Sequence, residues 1–262
     1  MLKFASICPH PPIIIPTIGK ESDLKKVSET IGAMEKLSQV FAKALPKTVF
    51  VISPHGPINF DRFTLINSPI LKGHFYNFGD FKTELVFEND LEMINELKEF
   101  CSKEEIPLKV LDSEEIDHGT LVPLYYLSKH YQDFKIVPLV YSFSDIESHL
   151  KFGEILAKVA NQKKSTAIIA SGDLSHRLTP EAPAGFSPEA KKFDEKIIRS
   201  LKKKDIEGIL NIEPELIEEA GECAYRSILI LLGALKNIDW QPEALSYQAP
   251  FGVGYLVFNF KL

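Results

Sequence analysis

Short apolar segments alternate with longer amphipathic ones along almost the whole chain. Leu2–Cys8 and Thr48–Ser53 have the length and composition of buried strands, and between them residues 22–44 carry apolar side chains at steps of three or four. Such steps are typical of a helix with one buried face. Strands and helices that alternate in this way pack as layers around a mostly parallel sheet. The sequence therefore predicts an α/β fold.

The alternation continues to residue 203. It predicts helices at 89–105, 121–130, 145–161 and 188–203, and strands at Leu108–Leu111, 134–141 and Thr166–Ser171. Two segments depart from it: residues 63–88 indicate a hairpin, and residues 243–260 indicate two antiparallel strands, so a mixed sheet is expected. Neither a low-complexity linker nor a repeat of fixed period interrupts the 262 residues. We therefore predict a single domain, 1–262, with a central mixed, mostly parallel sheet flanked by helices.

Composition limits the kinds of molecule and compartment that we expect for this protein. Lys and Arg number 30 against 36 Asp and Glu, a formal charge of −6, which argues against a broad nucleic-acid surface. No apolar run approaches the roughly 20 residues of a membrane span, and the first residues lack the pattern of a signal peptide. Three dispersed cysteines favour a reducing cytoplasm over a disulfide framework. The basic runs are short and are expected on the surface: Lys163-Lys164, Lys191-Lys192 and Lys202-Lys203-Lys204.

Histidines follow three of the predicted strands directly. His10 follows the first strand, His55 follows the second, and Asp173 and His176 follow the strand at Thr166–Ser171. In open α/β sheets, ligands bind beyond the carboxyl ends of the strands. We therefore expect these side chains to meet in one crevice. By contrast, three histidines with polar or charged neighbours are expected at the surface: His74, His130 and His149.

Two neutral imidazoles need a third, preferably anionic, ligand to form a metal site. Glu222 is the candidate, because it opens a very apolar segment where an unpaired carboxylate is costly. An ordinary ion pair with Arg226, four residues later on the same helix, would also explain a carboxylate at this position. The neighbouring Cys223 is the rival ligand, although a buried cysteine more often serves as a small apolar side chain.

Two histidines and one carboxylate form the ligand set of non-haem ferrous oxygenases, and the same set also holds zinc in hydrolases. Composition does not separate these two chemistries. In either case His176 and His118 are unligated histidines close to the metal. Imidazoles in that position suit proton transfer near neutral pH.

Five short blocks in order resemble the class III extradiol ring-cleavage dioxygenases, the superfamily of the catalytic subunit of protocatechuate 4,5-dioxygenase, which also includes Memo-like proteins. The blocks are Cys8-Pro9-His10-Pro11-Pro12, Ser53-Pro54-His55-Gly56, Asp117-His118-Gly119, Gly172-Asp173-Leu174-Ser175-His176 and Gly221-Glu222-Cys223. Together they extend over nearly the whole chain. The resemblance implies a single extradiol dioxygenase-like catalytic domain.

The resemblance also implies roles for individual residues. His10, His55 and Glu222 match the family's ligands to Fe(II), and His176 matches its catalytic acid/base. His118 matches a second active-site histidine. The implied reaction cleaves a catechol-type ring with O2, so a small aromatic diol and O2 are the expected reactants. Relatives form homodimers or associate with a separate small partner subunit.

Two departures from the family pattern leave alternatives open. Memo-like relatives carry a cysteine near the third-ligand position, where this chain has Cys223 beside Glu222, and Asp173 adds an anion near the metal. Asp173 and Cys223 are therefore expected to contact substrate or to orient a ligand. A Memo-like metal-binding or redox interaction protein without ring cleavage is the alternative function, and a zinc-dependent hydrolase is the third. Zinc or another divalent ion is then the alternative to Fe(II).

Overall fold

A large mixed sheet is the centre of the fold in the computed structural model, which describes residues 1–162 and 165–262. Within these ranges eight strands form the sheet: β1 Leu2–Cys8, β2 Thr48–Ser53, β3 Phe63–Ile66, β6 Leu108–Leu111, β7 Lys135–Val140, β8 Thr166–Ser171, β9 Gln241–Gln248 and β10 Tyr255–Lys261. A separate two-stranded sheet pairs β4 Ile70–Phe75 with β5 Asp80–Glu88. The predicted α/β class and mixed, mostly parallel sheet are confirmed.

The strand order is β6-β3-β7-β2-β8-β1-β10-β9. The four central strands, β7, β2, β8 and β1, are mutually parallel, so their carboxyl ends lie at one edge of the sheet. β10 pairs antiparallel with β1 and with β9, as the turn-containing pattern of residues 243–260 predicts. The hairpin predicted at 63–88 is confirmed only for β4 and β5, because β3 joins the large sheet instead.

Helices cover both faces of the sheet. They are α1 Glu21–Lys26, α2 Ser28–Ala44, α3 Leu91–Lys103, α4 His118–Leu127, α5 Ile146–Gln162, α6 Ala190–Lys203, α7 Ile206–Leu210, α8 Pro214–Ala220 and α9 Tyr225–Leu235. Successive side chains of β2 point into two apolar clusters, with Phe50 and Ile52 in one and Val49 and Val51 in the other. The first cluster includes α3, α5, α6 and α9, and the second includes α2 and α4. This two-sided burial is why the central strands are continuously apolar.

Two predicted helix boundaries are wrong for identifiable reasons. The helix predicted at 22–44 is divided, because Val27 leaves helical geometry between α1 and α2. α4 begins at His118, three residues before the predicted start, because the Asp117 carboxylate accepts the Thr120 amide and caps the helix. The cap matters for function, since it places His118 at the first helical position.

The predicted surface position of His149 is also wrong. Its side chain is buried on the inner face of α5, where Nδ1 lies 2.7 Å from the Asp145 carbonyl oxygen and Nε2 lies 3.1 Å from that of Ser142. The predicted exposure of His130 is confirmed, whereas His74 is half-buried and stacks on Tyr76. Polar neighbours in the sequence therefore do not reveal which face of a helix is buried.

Most of the basic runs are exposed, as predicted, at 191–192 and 202–204. The run at Lys163 and Lys164 lies outside the described residues.

No helix in the described part of the chain combines the length and apolar character needed to cross a bilayer.

Candidate metal centre

The predicted crevice forms at the carboxyl edge of the central strands. β1 leads through Pro9 into His10, and β2 leads through Pro54 into His55. β8 lies between these two strands and pairs with both, which brings Ser171 at its end next to both loops. The parallel direction of the three strands therefore brings the two histidines together, as the sequence predicts.

Hydrogen bonds fix the orientation of His10. Its Nδ1 lies 2.9 Å from Ser171 Oγ, and that hydroxyl donates its single proton to the Gly119 carbonyl oxygen at 2.5 Å. Ser171 must therefore accept the Nδ1 proton of His10, which leaves Nε2 with a free lone pair. The backbone amide of His10 donates to Asp173 Oδ1 at 3.0 Å. A buried imidazole held in this tautomer is a ready metal ligand.

Ser171→Ala should weaken metal binding roughly 10–100-fold, the usual cost of removing a group that orients a ligating histidine. The substitution leaves the three ligand side chains in place but frees the His10 ring to adopt the other tautomer. Competition with a chromophoric chelator measures the affinity. Ser200→Ala is the matched control, since Ser200 is also buried but lies on α6. Equal metal affinity in Ser171→Ala and the control would contradict the assigned tautomer.

Three ligand atoms converge at the crevice. His10 Nε2 lies 2.9 Å from His55 Nε2, and Cys223 Sγ lies 3.7 Å from His10 Nε2. Within the described residues, these three atoms form a group that could hold a metal ion, all lying within 4.8 Å of one another. Bonds of roughly 2.0–2.1 Å to nitrogen and 2.3 Å to sulfur are compatible with these separations. The donor set therefore fits one ion, with His10 and Cys223 buried and His55 exposed.

Glu222, the predicted carboxylate ligand, occupies a different position. Its Oε2 accepts the backbone amide of Tyr225 at 2.5 Å, at the start of α9. Gly221 ends α8 in the left-handed region at φ +61°, and the short link to α9 then presents Cys223 towards His10. The Cys223 sulfur also accepts the Asp173 amide at 3.2 Å. Of the two alternatives that the sequence left open, the geometry brings Cys223 into the group.

Loss of hydration controls the charges at this centre. Burial lowers the pKa of His10 well below its ordinary value and brings the pKa values of His118 and His176 to about 4. The pKa of His55 is lowered too, because the surrounding protein partly desolvates its ring although the residue as a whole is exposed. All four imidazoles are therefore neutral near pH 7. Burial also raises the pKa of the Cys223 thiol well above 9. A metal ion would thus displace a proton from the cysteine and none from the histidines.

Comparison with known proteins shows which family the chain resembles. A family model described as the catalytic LigB subunit of aromatic ring-opening dioxygenase matches residues 4–258. The chain belongs to this family. Its members include ring-opening enzymes, as the description states.

Two similar proteins carry names that do not mention ring opening. Protein CA_C1420 of Clostridium acetobutylicum is 34% identical over 266 residues, covering 97% of this chain and 56% of that protein. A MEMO1 family protein of Methanosarcina mazei is 30% identical over 149 residues, covering 55% of this chain and 52% of its own. The chain thus spans about half the length of these relatives. Among solved structures, uncharacterized protein JW3007 from Escherichia coli K12 shares the fold, with a TM-score of 0.66 at 19% identity over 98% of this chain and 99% of its own.

The other two predicted histidines border the LigB-family site. The His118 ring stacks on His55 with centroids 4.3 Å apart, and the Phe78 ring lies edge-on to it with centroids 5.1 Å apart. His176 Nε2 lies 3.9 Å from Cys223 Sγ. The His118 and His176 rings are therefore close enough to contact a molecule bound at the centre, but their nitrogens are not part of the group of three ligand atoms.

Asp173 is buried beside His10. Its Oδ2 lies 4.0 Å from His10 Nε2, and its Oδ1 receives the His10 amide. Burial raises its pKa to about 7. The carboxyl group therefore accepts a hydrogen bond from the His10 backbone, while the predicted choice between substrate contact and ligand orientation stays a prediction.

Sequence reasoning missed several residues that hold the LigB-family site together. Ser53 and Ser171 end their strands with hydroxyls that bond Asp117 and His10 respectively. Asp194 on α6 accepts the Ser175 amide at 2.9 Å and so fixes the loop that carries His176. A serine at the last position of two adjacent strands is a visible signal, whereas Asp194 lies in an ordinary amphipathic helix and offers none.

Proposed function

We propose that this protein is a Memo-like, metal-dependent redox protein that holds one divalent transition-metal ion through His10, His55 and Cys223. The single observation that carries the proposal is the approach of Cys223 Sγ to within 3.7 Å of His10 Nε2, while Glu222 is engaged at the start of α9. The sequence similarity to a MEMO1 family protein supports the same interpretation.

The charge of the loaded site would depend on Asp173. Two neutral imidazoles and one thiolate give a net ligand charge of −1, which leaves a divalent ion with one positive charge, and the buried Asp173 carboxyl beside His10 would offset that charge when it is ionised. When bound, the metal would supply Lewis acidity and one-electron redox chemistry. A thiolate ligand also favours softer ions than a carboxylate does. We propose Fe(II) as the redox-active occupant because the family description names a dioxygenase, and the thiolate ligand makes zinc or another divalent ion the alternative.

His176 is proposed to carry a proton between the substrate and solvent. Its pKa of about 4 leaves the ring neutral at pH 7, and its Nε2 faces the Cys223 side of the centre. A neutral imidazole accepts a hydroxyl proton from a bound substrate and can return it later. The Asp194 and Ala220 contacts hold the backbone of its loop in place, since the Ser175 amide donates to Asp194 Oδ1 at 2.9 Å and the His176 amide donates to the Ala220 carbonyl oxygen at 3.0 Å.

The number of protons released on metal binding tests which residue is the third ligand. With Cys223 as ligand, the affinity should rise about tenfold per pH unit between pH 7.5 and 9, because the thiol pKa is raised well above 9. With Glu222 as ligand, the affinity should level off in that range, because the pKa of Glu222 is about 7 and the carboxyl is already ionised. Calorimetry in buffers of different ionisation enthalpy measures the released protons directly. A value near zero at pH 8.5 would refute the cysteine ligand.

Ring cleavage is the second candidate function. The family description favours it, and the closeness of His118 to His55 and of His176 to Cys223 supports it. In this candidate the substrate is a small aromatic diol that reacts with O2. Homodimerisation or a separate small partner subunit belongs to the same candidate, and sedimentation of the purified chain would test it.

A reconstitution experiment distinguishes the two candidates. Protein loaded with Fe(II) without oxygen is mixed with a panel of catechols and then with O2, and coloured ring-fission products are followed. The Memo-like proposal predicts bound iron without product. Product formation that is lost roughly 100-fold or more in His176→Ala, with iron retained, would instead establish the dioxygenase.

A further inference from the structure

A cavity of about 950 Å³ lies at the amino edge of the central sheet, opposite the metal centre. Its wall includes Thr48 and Lys135, the first residues of β2 and β7, together with the last part of β5 and the start of α3. β2 runs for six residues from this cavity towards the loop of His55, so roughly 20 Å separates the two places. The cavity has the volume of a small-molecule site, and none of the proposed metal ligands lines it.

Acidic side chains outnumber basic ones in the wall of this cavity by five to two. Both lysines are already paired, since Lys135 Nζ lies 3.0 Å from Glu88 Oε2 and Lys47 contacts the Asp133 carboxylate. Within residues 1–162 and 165–262, no basic side chain lies within 4.0 Å of the Glu84 carboxylate. A concave wall with this surplus of negative charge attracts a cation.

The same wall contains a buried hydrogen-bond acceptor without a donor. Asn89 is 3% exposed and its Nδ2 donates to the Ile66 carbonyl oxygen at 2.9 Å, whereas no group in the described part of the chain donates to its Oδ1. The neighbouring Asp90 is fully engaged, because it accepts the Thr48 hydroxyl at 2.5 Å and the Met93 amide at 3.1 Å. Buried polar atoms are nearly always hydrogen-bonded, so an unpaired oxygen on a residue of the cavity wall indicates a donor that a ligand supplies.

Apolar side chains separate the acidic groups of the wall. Leu85 and Phe87 alternate with the acidic residues along β5, and the Phe87 ring stacks on Phe134 with centroids 6.0 Å apart. The step of four residues from Glu84 to Glu88 covers about 13 Å of extended strand. One ammonium group cannot reach both carboxylates. Several ammonium groups joined by methylene chains can reach both and also cover the apolar side chains between them.

We infer that this cavity binds a linear aliphatic polyamine. One ammonium group donates to Asn89 Oδ1, another is held by Glu84, and the methylene groups between them lie against Leu85 and Phe87. An ammonium group has three donors and no acceptor, which suits a wall of carboxylates with one unpaired amide oxygen. Aromatic rings add an attraction for cations that a purely polar wall lacks. The inference goes beyond the proposed function, since the two sites share no residue.

Equilibrium titration of the full chain with three cations tests the inference. Spermidine should bind at least about tenfold more tightly than hexaamminecobalt(III), which has the same charge without methylene groups, and than butylamine, which has one ammonium group. Asn89→Ala should weaken spermidine binding at least about tenfold, the usual cost of a lost hydrogen bond to a charged group. Glu84→Gln should weaken it about two- to fivefold, as for an exposed ion pair. Glu99→Gln is the matched control, because Glu99 is exposed on α3 outside the cavity wall.

Thermal unfolding and metal content are measured on the same samples. Equal affinities for spermidine and hexaamminecobalt(III) would show that any cation is attracted and would overturn the inference. Spermidine affinity that is unchanged in both Asn89→Ala and Glu84→Gln would overturn it too. Binding that disappears when a chelator removes the metal would locate the amine on the metal ion, against the inference. If Asn89→Ala does not fold, Glu84→Lys decides, because it reverses a charge at an exposed position, and an undiminished affinity for spermidine would then contradict the site.

Discussion

Cys223→Ala should lose its metal ion, whereas Glu222→Gln should retain it. Removing a group that merely orients a ligand costs about 10–100-fold in affinity, so removing the thiolate should cost more than about 100-fold. Glu222→Gln keeps a side-chain oxygen that can accept the Tyr225 amide, so α9 should start as before. Metal per chain after equilibration with a competing chelator is the measurement.

Cys101→Ala is the matched control for the loss of a buried thiol. Cys101 lies on α3 in the apolar core, and burial raises its pKa to about 12. Its replacement should lower stability modestly and leave metal content unchanged. The proposed centre is wrong if Glu222→Gln loses the ion while Cys223→Ala keeps it.

Gly153→Ala should destabilise the fold by about 3 kcal/mol, because the added methyl group has no room. A Cβ at Gly153 would lie 1.9 Å from the Ile230 carbonyl oxygen and 2.8 Å from the Ala234 amide nitrogen. Both atoms belong to the backbone of α9, so the two helices would have to separate. Because α9 directly follows Cys223, we also expect weaker metal binding in this variant. Chemical denaturation followed by circular dichroism measures the free energy of unfolding.

Gly32→Ala provides the matched control on α2. A Cβ at Gly32 meets nothing within 4 Å, and the residue is exposed within the helix. Alanine there should stabilise the protein by up to about 1 kcal/mol, the usual difference in helix propensity. Equal effects of the two substitutions would contradict the close packing of α5 against α9.

Periodicity and strand position predicted most of what positions the site. The apolar steps in residues 28–44 and the continuous apolar strands Thr48–Ser53 and Thr166–Ser171 are local signals, and the structure follows them. The parallel direction of adjacent strands then requires that His10 and His55 meet at one edge. These features depend only on residue spacing and on chain direction.

The remaining features depend on contacts between distant segments. The close approach of Gly153 to α9 joins parts of the chain about 80 residues apart, and periodicity carries no information about it. Glu222 and Cys223 are adjacent, so the sequence offers both to the metal. The structure adds the left-handed turn at Gly221 and the hydrogen bond from the Tyr225 amide to the Glu222 carboxylate, neither of which the sequence pattern reveals. The burial of His149 is also not visible in the sequence, because the two carbonyl oxygens within hydrogen-bond distance of its ring belong to the segment before α5, and the neutral ring can donate to one of them.

X-ray absorption at the metal edge of the loaded protein tests the central claim most directly. The proposed centre predicts one sulfur scatterer at about 2.3 Å together with nitrogen scatterers at about 2.0–2.1 Å. The sulfur contribution should persist in Glu222→Gln. A spectrum of the natural chain that contains only nitrogen and oxygen scatterers would contradict a metal centre built from His10, His55 and Cys223.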